Sequence, residues 1–347
     1  MLTSLENLKN KIQNGSYDAR LLRLYERINP QKKRYLSALE EFEKSFAGNN
    51  CFIISVPAKI TLAGGAESSI AIMSSAELDM IAVTAKRDDG KIVLRFADKD
   101  EPVSIDLSSL DVRKDEKGKT EGLIRAIAAG FAKWELNIGG FEAYVQSDVS
   151  PDCSFLPCLE VLCGTVLAYL YNDDAIAPYK IALIARKAQS EIYSAPCGLE
   201  DALTCAMGGT LKMDFADIEY PDFKKLPFDP KQNGYVLCTV NTGARHGRRL
   251  LNEVQTVKLL CELLENDDFD GFISALRSYG ARRRGGAIML CKKALGKKGA
   301  LYLQNGTLFA YVPKENFKEF KQKTKSVFGN SAVSSISVRQ CGTAFFA

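Results

Sequence analysis

The residue types that most often do chemistry are sparse or scattered in this sequence. His246, the single histidine, follows "NTGAR" and sits beside Arg245, Arg248 and Arg249, where it reads as a surface residue of a basic group rather than a catalyst. "ARRRGG" at 281–286 has the charge to meet a phosphate but reads as a solvated loop, and no nucleic-acid motif accompanies it. The ten cysteines lie in apolar segments between Cys51 and Cys341 and never form a C-x-x-C pair, which argues against structural zinc or a dithiol centre and for small buried side chains in a reducing compartment. Three segments combine charge with turn-forming residues: "SVPAKITLAGGAESS" (55–69), "SDVSPDCSFLPCLEV" (147–161) and "SAPCGLEDALTCAMGGTLKMDF" (194–215). The second reads as a strand end, a turn and a helix start without a glycine, with Ser154 suited to cap the helix and Pro157 to its first turn.

The elements that must position these segments are read from periodicity. "KRYLSALEEFEKSF" predicts an amphipathic helix with Leu36, Leu39, Phe42 and Phe46 on one face, followed by strands at "CFIIS", "DMIAVTAKRD", "KIVLRFAD" and "VSIDLS". A helix at "TEGLIRAIAAGFAKW", a strand at "GFEAYVQS", helices at "LEVLCGTVLAYLY" and "PYKIALIARKAQSEIY", and a strand at "GTLKMDF" come next. "YPDFKKLPFDPKQNG" (220–234) lacks periodicity and suits a connection, which sets an expected division into lobes 1–225 and 226–347. Beyond it the sequence predicts the strand "YVLCTVN", helices near 250–265, 268–279 and 286–295, strands "ALYLQ" and "TLFAYV" joined at Asn305-Gly306, a helix "ENFKEFKQKTKSVF" and a last strand "AVSSISV". The second lobe would then be a small sheet with helices on one side. Helices and strands mix without strict alternation, so the expected class is α+β in two lobes.

At 347 residues, with 46% hydrophobic and 25% charged residues, the chain can bury a large core. A net charge of +4 from 46 basic and 42 acidic residues is too balanced to imply nucleic acid or a membrane as partner. The first residues carry Glu6, Lys9 and Lys11 where a signal peptide needs an apolar run, and a cytoplasmic location is expected.

In this order, followed by "YVLCTVNTGARH", the three segments resemble the galactokinase branch of the GHMP small-molecule kinases. "LDMIAVTAKRDDGKI", "NIGGFEAYVQSDV", "LEVLCGTVLAYLYN", "PCGLEDALTCAMGG", "VNTG" and "NDDFDGFISALRSYG" extend that resemblance over nearly the whole chain. It implies a GHMP kinase fold, with a first lobe like domain 2 of ribosomal protein S5 and a ferredoxin-like second lobe. It also implies an ancestral transfer of the ATP γ-phosphoryl group, with Mg²⁺, to a sugar hydroxyl.

Residue by residue, the resemblance carries over unevenly. In the first motif Pro57 matches, Ala58 replaces a glycine and Lys59 replaces the arginine beside the reacting hydroxyl, while Ala66, Glu67 and Ser68 stand where the family has His-Thr-Asp on the sugar hydroxyls. A site that loses those hydrogen-bonding partners loses orders of magnitude in discrimination, so galactose is not the expected substrate. In the second motif "SPDCSFLPC" replaces the glycine-rich phosphate loop. Asp152, Cys153 and Ser154 would face the nucleotide, Asp152 with a charge like that of the phosphates, and Pro151 and Pro157 without N–H donors. The third motif keeps Asp201, the carboxylate beside the phosphoryl acceptor, with Ala202 in place of glutamine and Gly198 before it. Asn241 of "VNTG" falls among the substrate-side residues. The family's last glycine-rich loop is reduced to the Asn305-Gly306 turn.

The reading is a galactokinase-like protein whose catalytic candidates are Lys59 and Asp201, with galactokinase activity weak or lost. ATP and Mg²⁺ are cofactors if it is active and there are none otherwise, no resident metal site is expected, and the ligand is a small sugar-like molecule. The alternative is a non-catalytic regulator that binds a metabolite or a protein partner.

Overall fold

Residues 2–65, 69–149, 155–173, 176–193, 198–217, 221–243, 251, 253–281, 285–304 and 306–347 are described by the structure, a computed structural model. The chain divides into two compact units, one of Met1–Lys59, Ser75–Gly208 and Arg339–Ala347, the other of Ile60–Ser74 and Gly209–Val338. Each is discontinuous in sequence, where the sequence reading expected one linear boundary.

In the first unit, β1 (Thr3–Ser4) leads into α1 (Leu5–Gln13), whose first turn is capped by the Ser4 hydroxyl accepting from the Asn7 N–H at 3.3 Å. These residues, read above only as unfit for a signal peptide, bury Leu5, Leu8 and Ile12 at helical spacing. After α2 (Asp18–Leu22), α3 (Ile28–Ser45) buries Tyr35, Ala38, Leu39 and Phe42. The long strands β2 (Asn50–Gly65) and β3 (Ile70–Arg87) follow, both running past the strands expected from sequence. Pro57, Ala58, Gly64 and Gly65 hide the continuation, because small and cyclic residues carry no alternating signal.

β4 (Lys91–Phe96), β5 (Val103–Asp106) and β6 (Gly140–Ser147) complete the order β1-β2-β3-β6-β4-β5, with β4 parallel to β6 and the other strand pairs whose register is described antiparallel. Cys51, Ile53, Ile81, Val83 and Ala85 join the core beneath α1–α3. The alternate residues face α4 (Thr120–Lys133), α5 (Phe155–Tyr171), α6 (Pro178–Lys187) and α7 (Leu199–Met207), as the Phe52–Tyr169 ring contact at 4.6 Å marks. Covering on both faces explains the nearly unbroken burial of β2 and β3.

In the second unit, β7 (Thr210–Asp214) pairs with residues 70–74 of β3, and β8 (Asp222–Leu226) pairs with β7. The stretch expected to be only a connection thus contains a strand, disguised by the exposed charges that edge strands carry. β9 (Tyr235–Val240), α8 (Val254–Glu265), α9 (Phe269–Ala281), α10 (Gly286–Leu295), β10 (Ala300–Gln304), β11 (Thr307–Pro313), α11 (Phe317–Phe328) and β12 (Val333–Ser335) form an antiparallel sheet ordered β10-β11-β9-β12 with its helices. This is the ferredoxin-like succession. The register Gln304↔Thr307 leaves a two-residue hairpin whose Gly306 has φ +79°; Asn305 lies outside the described residues. Helices cover both faces rather than the one expected: α10 and α11 share a core with Leu301, Leu303, Leu308 and Ala310, while Phe269 and Phe272 of α9 pack on Tyr311 across the sheet.

The chain then returns to the first unit, where β13 (Ala344–Phe346) pairs antiparallel with residues 53–55 of β2. Arg339, fully buried, lies 3.3 Å from Asp79 and donates to the Ser55 hydroxyl at 2.7 Å and the Gly342 carbonyl at 2.6 Å. Asp79 also accepts from Arg34 at 2.6 Å, from Ser55 at 2.5 Å and from the Tyr25 hydroxyl. Removing one member of such a buried cluster strands the others without partners. Asp79→Ala should therefore lower stability by about 3–5 kcal/mol, read as a lower urea midpoint with an unchanged slope. A loss below about 1 kcal/mol, the worth of an exposed pair, would mean that water reaches the cluster.

Candidate functional site

Pro57 and Lys59 sit in mid-strand on β2 rather than in a loop. The Cys158 thiol of α5 donates to the Pro57 carbonyl at 3.3 Å and lies 3.9 Å from the Cys205 sulfur of α7, so β2, α5 and α7 meet at one point. Burial pushes the Cys158 thiol far up, which makes the sulfur pair packing rather than redox chemistry.

α6 widens into a π-helical turn, Ala188–Ile192, before the segment that carries the third motif. Gly198 is the N-cap of α7, and Glu200 folds its carboxyl back against it, within about 2.0–2.4 Å of where a Cβ would stand. Asp201 follows in the first turn, where a carboxylate gains from the helix N-terminus. Its Oδ1 lies 2.9 Å from the Lys59 ammonium, with side chains 30% and 12% exposed: shielded enough for the charges to matter, yet open to a small ligand.

A third ionisable group belongs to this corner. Glu160 on α5 is 2% exposed, and its Oε1 has no hydrogen-bond partner. Burial pushes its carboxyl well above the usual carboxylate range, and the charge of Asp201 pushes it further. The Lys59–Asp201 ion pair is thus neighboured by a buried carboxyl whose protonated form burial favours. The sequence did carry a signal for Glu160, a lone acid in the apolar run "LEVLCGTVLAYLY", which the reading of that run as a packing helix passed over.

Asn241 is in the second unit, exposed, with its N–H donating to the Ala332 carbonyl at 2.8 Å beside the β9–β12 pairing and its Oδ1 accepting from the Gly243 N–H at 3.0 Å, the bond of an Asx turn. Glu67, Ser68, Asp152, Cys153, Ser154 and His246 lie outside the described residues. α5 begins at Phe155, which puts Pro157 in its first turn. Among the described residues no three carboxylate, imidazole or thiolate donors gather to hold a metal. Asp201 is engaged by Lys59 and burial disfavours the charged form of Glu160, so these groups do not fit a resident Mg²⁺.

A solved structure of Lactococcus lactis galactokinase complexed with galactose has the same fold, with a TM-score of 0.73, 14% identity, and coverage of 89% of this chain and 99% of that one. The architecture is thus that of the GHMP kinases. In sequence the chain is similar in part to galactokinases: it is 28% identical over 158 residues to the galactokinase of Chloroflexus aurantiacus, covering 44% of this chain and 37% of that one. It is 32% identical over 93 residues to the Pyrococcus furiosus galactokinase, covering 26% of each. The chain spans about a third of the length of the curated relatives it matches. No family profile matches it.

The upward shift of Glu160 has a stability signature. In the unfolded chain its carboxyl ionises above about 4.5, whereas burial makes the folded chain hold the proton to higher pH. Folding stability attributable to this group is thus complete below that pH and falls as pH rises toward the folded value. Glu160→Gln removes the dependence, so the stability difference between variant and wild type should grow in favour of glutamine from pH 4.5 upward, by at most about 1.4 kcal/mol per pH unit. Paired urea titrations across pH check this, and a difference independent of pH would assign an ionised Glu160.

Proposed function

We propose that the chain is a divergent galactokinase-like protein that keeps the acceptor side of a phosphotransfer site as a binding site for a hydroxyl of a sugar-like ligand. Its nucleotide side is degenerate, so galactokinase activity is weak or lost. The observation that carries this reading is the 2.9 Å Lys59–Asp201 pair, which joins the first and third motifs at one point. Phosphoryl transfer asks the protein mainly for positioning and charge stabilisation. A hydroxyl entering between the two groups would donate its proton to a hydrogen bond with Asp201, while Lys59 would steady negative charge on the oxygen. MgATP would supply the phosphoryl group if transfer occurs. The sequence positions that would meet its phosphates, Asp152, Cys153 and Ser154, offer no glycine and add a like charge.

The same absence of glycine favours a second reading, in which the site binds a metabolite for regulation and no transfer takes place. Lys59 and Asp201 would then serve affinity alone.

Thermal shift against MgATP, MgADP and a panel of sugars and polyols separates these readings, because a ligand that binds only the folded chain raises Tm. A polyol is expected to stabilise the protein and MgATP to have little effect at millimolar concentration. Asp201→Asn should weaken the polyol response by at least about tenfold in Kd, the worth of one charge-assisted hydrogen bond. Submicromolar MgATP binding, on the scale of about −8 kcal/mol or better, would restore an altered kinase as the better reading. Unchanged polyol binding in Asp201→Asn would remove the site from the function.

A further inference from the structure

The C-terminal ends of α4 and α6 bound a cleft of about 430 Å³ in the first unit. Its described lining residues include Trp134, Glu135 and Lys187 but not Lys59, Asp201 or Glu160. The volume lies in the range that takes a small metabolite. α6 leaves the cleft through the π-helical turn Ala188–Ile192, a local widening that recurs at functional sites.

The lining sets what could bind. Trp134, the single tryptophan of the chain, is half-buried, and the Lys180 and Lys187 ammonium groups of α6 stand 5.4 and 5.8 Å from its ring centre. Those lysines are seven residues apart, about 10 Å along the helix. Positive charge therefore flanks the ring, and a cationic guest would be repelled. Glu191 is held by Lys133 at 2.7 Å, whereas the exposed Glu135 carboxylate has no hydrogen-bond or ion-pair partner among the described residues.

Glu135 is also an unfavourable residue for its place. Its φ of +56° is the left-handed conformation that follows a helix end and favours glycine. Its carboxylate lies at the negative end of the α4 dipole. Glycine would relieve both costs, so the local fold gives no reason for a glutamate, and a ligand does.

We propose that this cleft binds a polyol that carries one acidic group, of the size and chemistry of a hexose phosphate. Its C–H face rests on Trp134, its hydroxyls donate to Glu135, and its phosphate lies beside Lys187. A bare anion would set like charge against Glu135, and a neutral sugar would leave the ammonium groups unused.

Trp134 reports its own site, because no other tryptophan emits. The full chain is titrated with glucose 6-phosphate, glucose and inorganic phosphate while its fluorescence is followed. A saturable change with glucose 6-phosphate is expected, with glucose and phosphate each at least about tenfold weaker, the worth of one charge-assisted hydrogen bond. Lys187→Gln should weaken the response about tenfold for the same reason. Glu135→Gly should weaken it similarly while the urea midpoint stays equal or rises, the reverse of a residue kept for stability. Asp201→Asn should leave the response unchanged, which separates this cleft from the Lys59–Asp201 site. No response to glucose 6-phosphate, equal affinity for phosphate alone, or indifference to both Lys187→Gln and Glu135→Gly overturns the proposal. Loss of the response in Asp201→Asn overturns it by moving the ligand to the other site, and a lowered midpoint in Glu135→Gly overturns it by making Glu135 structural.

Discussion

The Asp79 carboxylate holds the first unit together from its centre. It lies on β3, accepts hydrogen bonds from Tyr25, Ser55, Arg34 and Arg339, and so joins the N-terminal helices, β2 and the returning C-terminal segment at one buried atom group. A buried ion of this kind is tolerable only when its lone pairs are used, and here both oxygens are. Ser55 is therefore pinned, and with it the register of β2 four residues before Lys59. The position of the candidate site follows from that anchoring more than from any contact at the site.

Around Lys59 the governing quantity is charge. One ammonium shares the corner with two carboxyl groups in different surroundings. Asp201, part exposed and at a helix N-terminus, is paired with Lys59, while burial of Glu160, whose Oε1 has no hydrogen-bond partner, favours its protonated form. A carboxyl that holds its proton more tightly near a paired carboxylate suits handling a hydroxyl, because a protonated acid can donate where a carboxylate only accepts.

Legibility in the sequence followed signal strength at each element. α3 was readable because Leu39 and Phe42 recur at helical spacing in a polar background. The far half of β2 was not, since Ala58, Gly64 and Gly65 resemble a loop until the flanking strands are known. β8 was hidden by Asp222, Lys224 and Lys225, the charges that protect an edge. Lys59 and Asp201 were found through motif resemblance, and their distance depends on the β2–α7 arrangement that no local pattern encodes. Glu160 was missed because a hydrophobic run was read for its period and not for its exception.

That exception bears on how the site has diverged. A buried carboxyl with an oxygen, Oε1, that has no hydrogen-bond partner costs stability, and an exchange for an apolar residue such as leucine would relieve that cost. A costly acid near Asp201, in the otherwise apolar run of α5, is hard to account for by packing, which an apolar residue would serve better. A polar ligand meeting the Lys59–Asp201–Glu160 corner would account for it, and that is the ground for centring the proposed function on Lys59 and Asp201.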